Sequence, residues 1–347
     1  MRIQVNARNR GYEFEARPGE KVLHAGLRAG VDLPYECGTG TCGTCKATLV
    51  GGVVDDGWPG APGRKFAKPE RGEFLMCQCA AAGDLTLEVD KFVHPAEAGA
   101  CAPDACTGVL RAPRQLAHDV MAFSVELEQP RDFEAGQFVL LAPPGVTGYR
   151  AYSMCNFERG GRHLEFVVKR KLDGRFSEWL FGGNREGERL KAFGPLGKAT
   201  FDPTLAKNIL CIAGGSGIAG MMSILARAGS ESYFQRWCGS VFFGVRTMRD
   251  GFFLDELSSF QRQFPERLQI TVALSDEDVP ASAAGDWPAL HFEHGLVHEV
   301  TKRVMAGNYQ DVRAYVAGPP PAVDAAIRVL LLEAKLATNN IRYDKYS

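Results

Sequence analysis

A cysteine-rich loop near the N-terminus constrains this chain more than any other feature. Cys37, Cys42 and Cys45 have the spacing C-x4-C-x2-C, and Cys77 follows at a distance. This is a known ligand spacing for [2Fe–2S] clusters, which need four thiolates for their two irons. Glycines between the cysteines allow a tight loop whose amides face the sulfurs. The sequence therefore predicts a cluster bound by Cys37, Cys42, Cys45 and Cys77.

Two other uses of these cysteines stay open, a zinc site and a disulfide. Zinc usually binds paired C-x2-C knuckles, and here only Cys42 and Cys45 form such a pair. Cys79 lies two residues beyond Cys77 and could compete with it as the fourth ligand. We favour Cys77 because it directly follows the apolar run Phe74-Leu75-Met76.

The bulk composition is that of an ordinary soluble protein. A length of 347 residues predicts two or three domains. The net charge of −1 argues against a nucleic-acid partner, and no stretch approaches 18 apolar residues, so no membrane span is expected. Residues 1–5 alternate like a strand and lack a signal-peptide core. The six cysteines outside the cluster set are scattered, as buried thiols often are, and we expect a cytoplasmic protein.

The N-terminal part mixes strands with one helix. Residues 2–17 predict a hairpin and residues 21–29 a helix, while 47–50 and 85–89 predict strands. Together with the cysteine loop, this pattern resembles the β-grasp fold of plant-type ferredoxins. We therefore expect a ferredoxin domain over residues 1–95. The following segment, 96–106, is rich in Ala, Pro and Gly and predicts a linker.

Two further domains are predicted beyond this linker. Residues 107–203 contain short strands separated by turn residues, which favours an antiparallel barrel, with one helix at 175–182. Residues 204–347 alternate between strands and helices, which is typical of a parallel α/β layer. The predicted strands there are 208–213, 239–244, 268–274 and 313–317, and the predicted helices are 218–228, 253–263, 296–306 and 321–336.

A short motif ends one barrel strand, Arg150-Ala151-Tyr152-Ser153. Together with the flanking domains it resembles the ferredoxin–NADP reductase superfamily. The resemblance implies that Arg150 pairs with the pyrophosphate of FAD, that Tyr152 stacks on the isoalloxazine and that Ser153 hydrogen-bonds flavin N5. Each role suits the residue type, because guanidinium matches phosphate, a phenol ring stacks, and a hydroxyl can stabilise N5.

A second segment supports the flavin assignment. Val168 ends a strand predicted over 164–168 and Lys169 follows it, and Gly174-Arg175-Phe176-Ser177 opens a helix. The resemblance implies that Val168, Lys169, Gly174 and Ser177 contact the cofactor, the last two at its phosphates. A simpler role for Ser177 is that of an N-terminal helix cap. The choice of FAD over FMN rests on the resemblance alone.

A glycine loop follows the strand at 208–213. Its residues Gly215, Gly217 and Gly220 satisfy G-x-G-x-x-G, but the acidic residue expected after the next strand is missing and Arg246 stands there. The loop more closely resembles the reductase motif G-G-[ST]-G-x-A-P, with Gly220 in place of proline. This implies that Gly215, Ser216 and Gly217 present amides to the pyrophosphate of a nicotinamide dinucleotide.

Further positions are implied by the same resemblance. Gly244 and Arg246 lie where relatives contact the adenosine ribose; Arg246 would suit NADPH, but we favour NADH. Gly318 and Pro319 would lie near the nicotinamide, where Ala317 replaces a common cysteine. Tyr346 would cover the flavin face, with an ordinary packed or frayed terminal tyrosine as the alternative.

The resemblance extends over nearly the whole chain. It is to the NADH-dependent FAD/[2Fe–2S] reductase components of bacterial multicomponent oxygenases, including toluene and xylene monooxygenase electron-transfer components. It implies hydride transfer from NADH to FAD beside Ser153 and Tyr346, then single electrons through the cluster to a di-iron or Rieske oxygenase or an intermediate ferredoxin. A non-oxygenase partner, such as a deoxysugar dehydratase, and a redox sensor without turnover stay open.

Overall fold

The N-terminal domain is a mixed sheet covered by one helix. A computed structural model describes residues 1–97 and 99–346. In this domain the elements are β1 (Arg2–Ala7), β2 (Gly11–Glu15), α1 (Val22–Arg28), β3 (Lys46–Gly51), β4 (Val54–Asp56), β5 (Glu73–Leu75), β6 (Cys79–Ala81) and β7 (Leu85–Val89). The main sheet has the order β2-β1-β7-β3-β5, and β4 pairs with β6. Two 3-10 helices, Pro62–Phe66 and Pro69–Arg71, lie between β4 and β5.

The alternation of apolar residues explains these N-terminal elements. Ile3 and Val5 on β1 are fully buried, whereas Gln4 between them is exposed. All residues of α1 from Val22 to Leu27 are buried against the sheet. The predicted hairpin and helix are confirmed, while the short strands β4, β5 and β6 were not predicted.

The middle domain is a six-stranded antiparallel sheet. Its elements are β8 (Asp104–Ala117), β9 (Val120–Arg131), β10 (Phe138–Ala142), β11 (Arg150–Ser153), β12 (Gly161–Lys169), α2 (Arg175–Phe181) and β13 (Arg189–Leu196). The strand order is β11-β10-β13-β8-β9-β12. The two end strands also contact each other, so the sheet curls into a barrel around a phenylalanine-rich core. The predicted barrel and the helix at 175–182 are confirmed.

One boundary of the prediction differs from the structure. The segment 96–106 was predicted as a linker, but β8 begins at Asp104, which pairs with Gly194 on β13. The Ala- and Pro-rich composition describes the residues before this strand, and the last three residues of the segment extend the barrel.

The C-terminal domain is a parallel sheet flanked by helices. It contains β14 (Asn208–Gly214), α3 (Ile218–Ser230), β15 (Gly239–Val245), α4 (Leu254–Gln263), β16 (Leu268–Leu274), α5 (Ala283–Asp286), β17 (His291–His294), α6 (Val297–Val304), β18 (Val312–Gly318), α7 (Pro320–Arg328) and β19 (Ile341–Lys345). The strand order is β17-β16-β15-β14-β18-β19. The predicted alternation of strands and helices is confirmed.

The structure differs from the prediction at the edges of this domain. The predicted helix 321–336 is α7 followed by a π-helical turn, Val329–Glu333, and ends earlier than expected. The edge strands β17 and β19 were not predicted. Each pairs on one side only and carries several polar residues, which hides the usual apolar signal of a central strand.

The N-terminal domain packs directly on the barrel. The His24 ring of α1 stacks on Phe193 of β13 with 3.8 Å between ring centroids. The Gly197 amide donates to the Tyr35 hydroxyl at 3.0 Å. A Cβ atom added at Gly38 would lie only 3.3 Å from Leu140 of β10. The cysteine loop is therefore held against the barrel strands.

The barrel and the C-terminal domain share a hydrophobic core. Val120 and Val167 of the barrel belong to the same buried cluster as Ile218 and Met221 of α3. Among the helices that the structure describes, none is long and apolar enough to span a membrane.

Candidate functional site

The four predicted cluster ligands lie together. Cys37, Cys42 and Cys45 occupy the loop between α1 and β3, and Cys77 lies between β5 and β6. The Sγ atoms of Cys45 and Cys77 are 3.2 Å apart. The Cys42 thiol hydrogen-bonds to the Cys37 sulfur, and this contact lowers the pKa of Cys37. The loop thus offers two close pairs of sulfur atoms, which fits two irons with two protein ligands each.

The backbone of the loop supports this ligand set. Gly38, Gly40 and Gly43 have φ values of +66°, +84° and +77°, which side chains with a Cβ rarely adopt. These turns let the Thr39 amide donate to the Cys37 sulfur at 3.4 Å. The Thr44 amide likewise donates to the Cys42 sulfur at 3.5 Å. Amides directed at sulfur are typical of iron–sulfur sites, so the residues present fit the group.

Cys79 has different neighbours from the four clustered cysteines. Its sulfur accepts a hydrogen bond from the Arg64 guanidinium at 3.5 Å, and Arg64 also pairs with Asp56. Burial raises the pKa of Cys79 to about 11. The Cys79 side chain is therefore directed toward Arg64, while Cys77, two residues earlier, contacts Cys45.

A cavity of about 740 Å³ lies where the three domains meet, large enough for a dinucleotide cofactor. All three domains line it. The lining includes Tyr35, Glu36, Cys37, Thr41 and Trp58 of the N-terminal domain, Arg150, Tyr152, Ser153, Lys169, Gly174 and Ser177 of the barrel, and Ser216, Pro319, Asp344 and Tyr346 of the C-terminal domain. The cysteine loop and the predicted flavin and nicotinamide residues therefore share one cavity.

The guanidinium of Arg150 lies at the cavity with its positive charge unpaired in the described chain. It begins β11, and its Nη1 donates to the Tyr149 carbonyl at 2.8 Å. Its guanidinium carbon lies 5.6 Å from the ring centroid of Trp58. Within residues 1–97 and 99–346, no carboxylate approaches it within ion-pair distance. Burial lowers the pKa of Arg150, and the nearby Arg175 lowers it further, so a bound diphosphate would offset both costs.

The neighbouring loop is organised by Ser177. Its hydroxyl accepts from the Lys171 amide at 3.1 Å, and its single proton is shared between the carbonyls of Gly174 and Lys171 at 3.0 and 3.1 Å. Gly174, and not Ser177, is the N-cap of α2. Tyr152 packs against Phe176 of the same helix with 4.7 Å between centroids. The Ser177 side chain thus fixes the loop that borders the cavity.

Val168 and Lys169 face opposite ways because side chains alternate along β12. Val168 is buried in the barrel core, whereas Val167 and Lys169 line the cavity. The Lys169 ammonium lies 3.1 Å from Asp119 and 3.7 Å from Asp250. Lys169 therefore joins an ion cluster between the barrel and the C-terminal domain.

Ser153 and Tyr346 meet across two domains. Their hydroxyl oxygens are 2.8 Å apart. Tyr346 follows β19, and its amide donates to the Gly318 carbonyl at 2.9 Å. Burial raises the pKa of Tyr346, so the phenol stays protonated at neutral pH. The aromatic ring lies beside Ser153, where the sequence predicted a cover for the flavin.

The glycine positions of the C-terminal domain are close-packed. A Cβ at Gly217 would lie 2.2 Å from the Ala317 carbonyl oxygen. Gly318, with φ of +144°, would bring a Cβ within 2.9 Å of the Gly214 oxygen. The loops after β14 and β18 therefore touch through glycines, which places Ser216 and Pro319 together at the cavity. Gly215 adopts φ of +53° at the start of the first loop.

The end of β15 carries a neutralised cation. A Cβ at Gly244 would lie 2.6 Å from Val297, so this glycine allows α6 to approach. Arg246 donates to Asp250 at 3.0 Å. Burial opposes ionisation of Asp250, but hydrogen bonds from Arg246 and Thr247 lower its pKa. The charge on Arg246 is thus balanced by a buried carboxylate.

Several cavity residues were not predicted from the sequence. Tyr35, Glu36 and Trp58 come from the N-terminal domain, and Asp344 comes from β19. Burial and the neighbouring Glu36 raise the pKa of Asp344 to about 7. A tryptophan in the Pro- and Gly-rich segment 58–63 is the one sequence signal that could have drawn attention to this wall of the cavity.

Comparisons with known proteins agree with this architecture. Three family profiles match in order: the 2Fe-2S iron-sulfur cluster binding domain over residues 5–82, the oxidoreductase FAD-binding domain over 107–201 and the oxidoreductase NAD-binding domain over 211–328. A ferredoxin–NAD(P)+ reductase of Metapseudomonas resinovorans is 34% identical over 90% of this chain and 91% of its own length. The xylene/toluene monooxygenase electron transfer component of Pseudomonas putida is 31% identical over 93% and 87%.

A solved structure shows the same arrangement. The ferredoxin reductase in carbazole 1,9a-dioxygenase superposes with a TM-score of 0.82 at 30% identity, covering 100% of this chain and 99% of that one. The chain therefore belongs to the family of ferredoxin–NAD(P)+ reductases built from [2Fe–2S], FAD and NAD(P) domains. The predicted family, fold class and oxidoreductase activity are confirmed, and NAD(P)H is the electron donor.

Proposed function

We propose that this reductase takes electrons from NADH and delivers them singly to an oxygenase component, directly or through a separate ferredoxin. The observation that carries the proposal is the shared cavity. Each of the three domains contributes to its lining, for example through Cys37, Ser153 and Tyr346. Relatives named as monooxygenase components, including an alkene monooxygenase reductase of Xanthobacter autotrophicus at 32% identity, support an oxygenase partner.

We assign the cluster to Cys37, Cys42, Cys45 and Cys77. The paired sulfur contacts and the inward amides support this set, whereas the contact of Cys79 with Arg64 speaks against that residue. When bound, FAD accepts two electrons from a nicotinamide and the cluster accepts one at a time, so the pair links a two-electron donor to a one-electron acceptor.

The FAD site follows from the barrel residues. Arg150 suits the diphosphate because its guanidinium has no carboxylate partner in the described chain. Gly174 and Ser177 shape the adjoining loop, Tyr152 offers its ring, and Ser153 offers a hydroxyl beside the reacting ring. We assign Val168 a backbone role, since its side chain is buried in the barrel core, and Lys169 a place at the cavity wall.

The nicotinamide site is assigned to the C-terminal loops. We place the dinucleotide along Gly215, Ser216 and Gly217, with Gly244 and Arg246 at the ribose and Gly318 and Pro319 at the nicotinamide. The salt bridge from Arg246 to Asp250 favours NADH, because a carboxylate there opposes a 2′-phosphate. Tyr346 must leave Ser153 before the nicotinamide ring can take its place.

The domain limits and location complete the proposal. We place the ferredoxin domain at 1–95, a linker at 96–106, the FAD domain at 107–203 and the NAD domain at 204–347, with β8 entering the linker by three residues. All ten cysteines are free in the described chain, which suits a reducing cytoplasm.

An anaerobic titration with NADH tests this function. Bleaching of the flavin band together with a rhombic [2Fe–2S] signal by low-temperature EPR supports electron flow through both groups. NADPH titrated in parallel should be used less efficiently. Flavin bleaching without the EPR signal would overturn the proposed path.

A further inference from the structure

The cysteine loop has an inner and an outer side. On the inner side, Cys37 and Thr41 line the flavin cavity, and Gly38 packs against Leu140 of the barrel. The 3-10 helix Pro62–Phe66 covers the outer side of the loop, although its first residue, Pro62, also reaches the cavity. The helix therefore runs from the cavity at Pro62 to the protein surface at Phe66.

The outer helix sits directly on the cysteine loop. The Gly63 amide donates to the Gly40 carbonyl at 2.8 Å. A Cβ added at Gly43 would lie 2.7 Å from Cδ2 of Phe66, so the ring covers the segment between Cys42 and Cys45. Phe66 is nevertheless 52% exposed. Phe66 therefore combines exposure to solvent with direct packing on the cysteine loop.

The same helix directs one cation inward and another outward. Arg64 turns toward Asp56 and Cys79 and is partly buried. Lys65 is exposed, and its ammonium lies 5.0 Å from the centroid of the Phe66 ring. The side chain next to the ring therefore presents its charge to solvent.

Two more cations extend this surface. Lys68 and Arg71 are exposed at the second 3-10 helix. In the described chain, no carboxylate oxygen lies within 4.0 Å of the charged nitrogen atoms of Lys65, Lys68 or Arg71. Glu73 forms an ion pair with Lys46. Within residues 62–73, Glu70 is therefore the acidic residue without an ion pair in the described chain. We call Lys65, Phe66, Lys68 and Arg71 the Phe66 patch; within residues 62–73, its three cations without an ion pair outnumber the one such carboxylate, Glu70.

We infer that the Phe66 patch is the docking surface for the electron acceptor and that the acceptor is a protein with an acidic docking face. This inference rests on the proposed function and deepens it. The N-terminal segment 1–95 has twelve basic and twelve acidic residues, so its overall charge cannot steer a partner. A local basic patch around an exposed ring can, because charges raise the rate of encounter and an aromatic residue anchors the contact.

Two haem proteins of opposite charge test the inference on the full-length holoprotein. Cytochrome b5 is acidic and cytochrome c is basic, and reduction of either by NADH is followed optically. We expect the triple variant Lys65→Gln, Lys68→Gln, Arg71→Gln to lower kcat/KM for cytochrome b5 at least fivefold at low salt and to flatten its salt dependence. Its rate with cytochrome c should stay the same or rise.

A matched control carries the same charge change elsewhere on the domain. Arg8, Arg10 and Lys91 are exposed near the β1–β2 hairpin. Their triple replacement by Gln should change kcat/KM for cytochrome b5 less than twofold. Phe66→Ala should lower the rate at saturating cytochrome b5 without changing the salt dependence. This variant separates the role of the aromatic ring in the bound complex from the role of the charges in the encounter.

The outcomes distinguish this inference from the proposed function. If NADH reduces the cluster in the patch variant, as seen by EPR, but the rate with cytochrome b5 equals that of the wild type, the inference is wrong and the function stands. An equal loss in patch and control variants also overturns it. Failure of NADH to reduce the cluster in the wild-type protein would instead remove the proposed function.

Discussion

The hydroxyl oxygens of Ser153 and Tyr346 lie 2.8 Å apart although 193 positions separate them in the chain. Ser153 ends a barrel strand, and Tyr346 follows the last strand of the NAD domain. The backbone of Tyr346 is bound to Gly318, a residue of the proposed nicotinamide site. One contact therefore connects the proposed flavin side, the proposed nicotinamide side and the end of the described chain, and in our proposal the ring of Tyr346 occupies the place that the nicotinamide takes.

Replacing Tyr346 by Ala should tighten the binding of NAD+ to the oxidised holoprotein. The nicotinamide would no longer displace an aromatic contact worth about 1 kcal/mol, which corresponds to about a fivefold lower Kd. Titration followed by difference absorbance measures this Kd. Tyr346→Phe keeps the ring and should remain close to the wild type. An unchanged Kd in Tyr346→Ala would show that the ring does not occupy the nicotinamide position.

Replacing Arg150 by Ala should weaken the retention of FAD. The loss of charge-assisted hydrogen bonds of about 1.5–3 kcal/mol corresponds to a Kd raised roughly tenfold to a hundredfold. Equilibrium titration of the apoflavoprotein with FAD measures the effect. Trp58→Ala, which removes the ring packed on the guanidinium, should have a smaller effect in the same direction. Wild-type affinity in Arg150→Ala would place the diphosphate elsewhere.

The two neighbouring cysteines should respond differently to substitution. Cys77→Ser removes one member of the 3.2 Å sulfur pair, so the [2Fe–2S] EPR signal and NADH-dependent reduction of cytochrome c should be lost. Direct reduction of ferricyanide by the flavin should persist. Cys79→Ser should keep the cluster, because that sulfur bonds to Arg64. The opposite pattern would exchange the two assignments.

The sequence predicted those parts of the site that lie close together in the chain. The cysteine loop at 37–45, the strand β11 and the glycine loop at 214–217 are each one short segment, so the residues within each lie together because they are close in the chain. Trp58, Tyr35 and Asp344 reach the same cavity only through the packing of three domains. No periodicity encodes such packing, which is why these residues were not predicted.

The assignment of Val168 shows a second limit of prediction from the sequence, which concerns the direction of side chains on a strand. A strand was correctly predicted there, but the side that each residue faces depends on how the sheet curls around the core. The structure directs Val168 inward and its neighbours Val167 and Lys169 toward the cavity. A shift of one position reverses such an assignment, because side chains alternate along a strand.

Asp250→Asn should shift the preference toward NADPH. It removes the carboxylate that neutralises Arg246, so the guanidinium becomes available to a 2′-phosphate. We expect the ratio of kcat/KM for NADPH to that for NADH to rise about tenfold, as for one charge-assisted hydrogen bond. Arg246→Gln in the same background should abolish the gain. An equal fall with both nucleotides would mean that Asp250 only holds the domains together through Lys169.

His24 should make the interface between the ferredoxin and FAD domains sensitive to acid. Burial against Phe193 and Tyr149 lowers its pKa to about 3, and its Nε2 has no hydrogen-bond partner in the described chain. The unfolded chain binds a proton below about pH 6.5 while the folded chain does not. Stability should therefore fall as the pH drops from about 6.5 toward 3, by at most about 1.4 kcal/mol per pH unit.

The replacement His24→Phe tests this dependence because it keeps a flat ring on Phe193 and cannot be protonated. The difference in Tm between pH 7.5 and pH 5 should be smaller in His24→Phe than in the wild-type holoprotein. His94→Gln, at an exposed position of the same domain, serves as the control and should keep the wild-type difference. If His24→Phe shows the full wild-type difference, the acid sensitivity arises from other groups and the His24–Phe193 stack does not govern the docking of the ferredoxin domain.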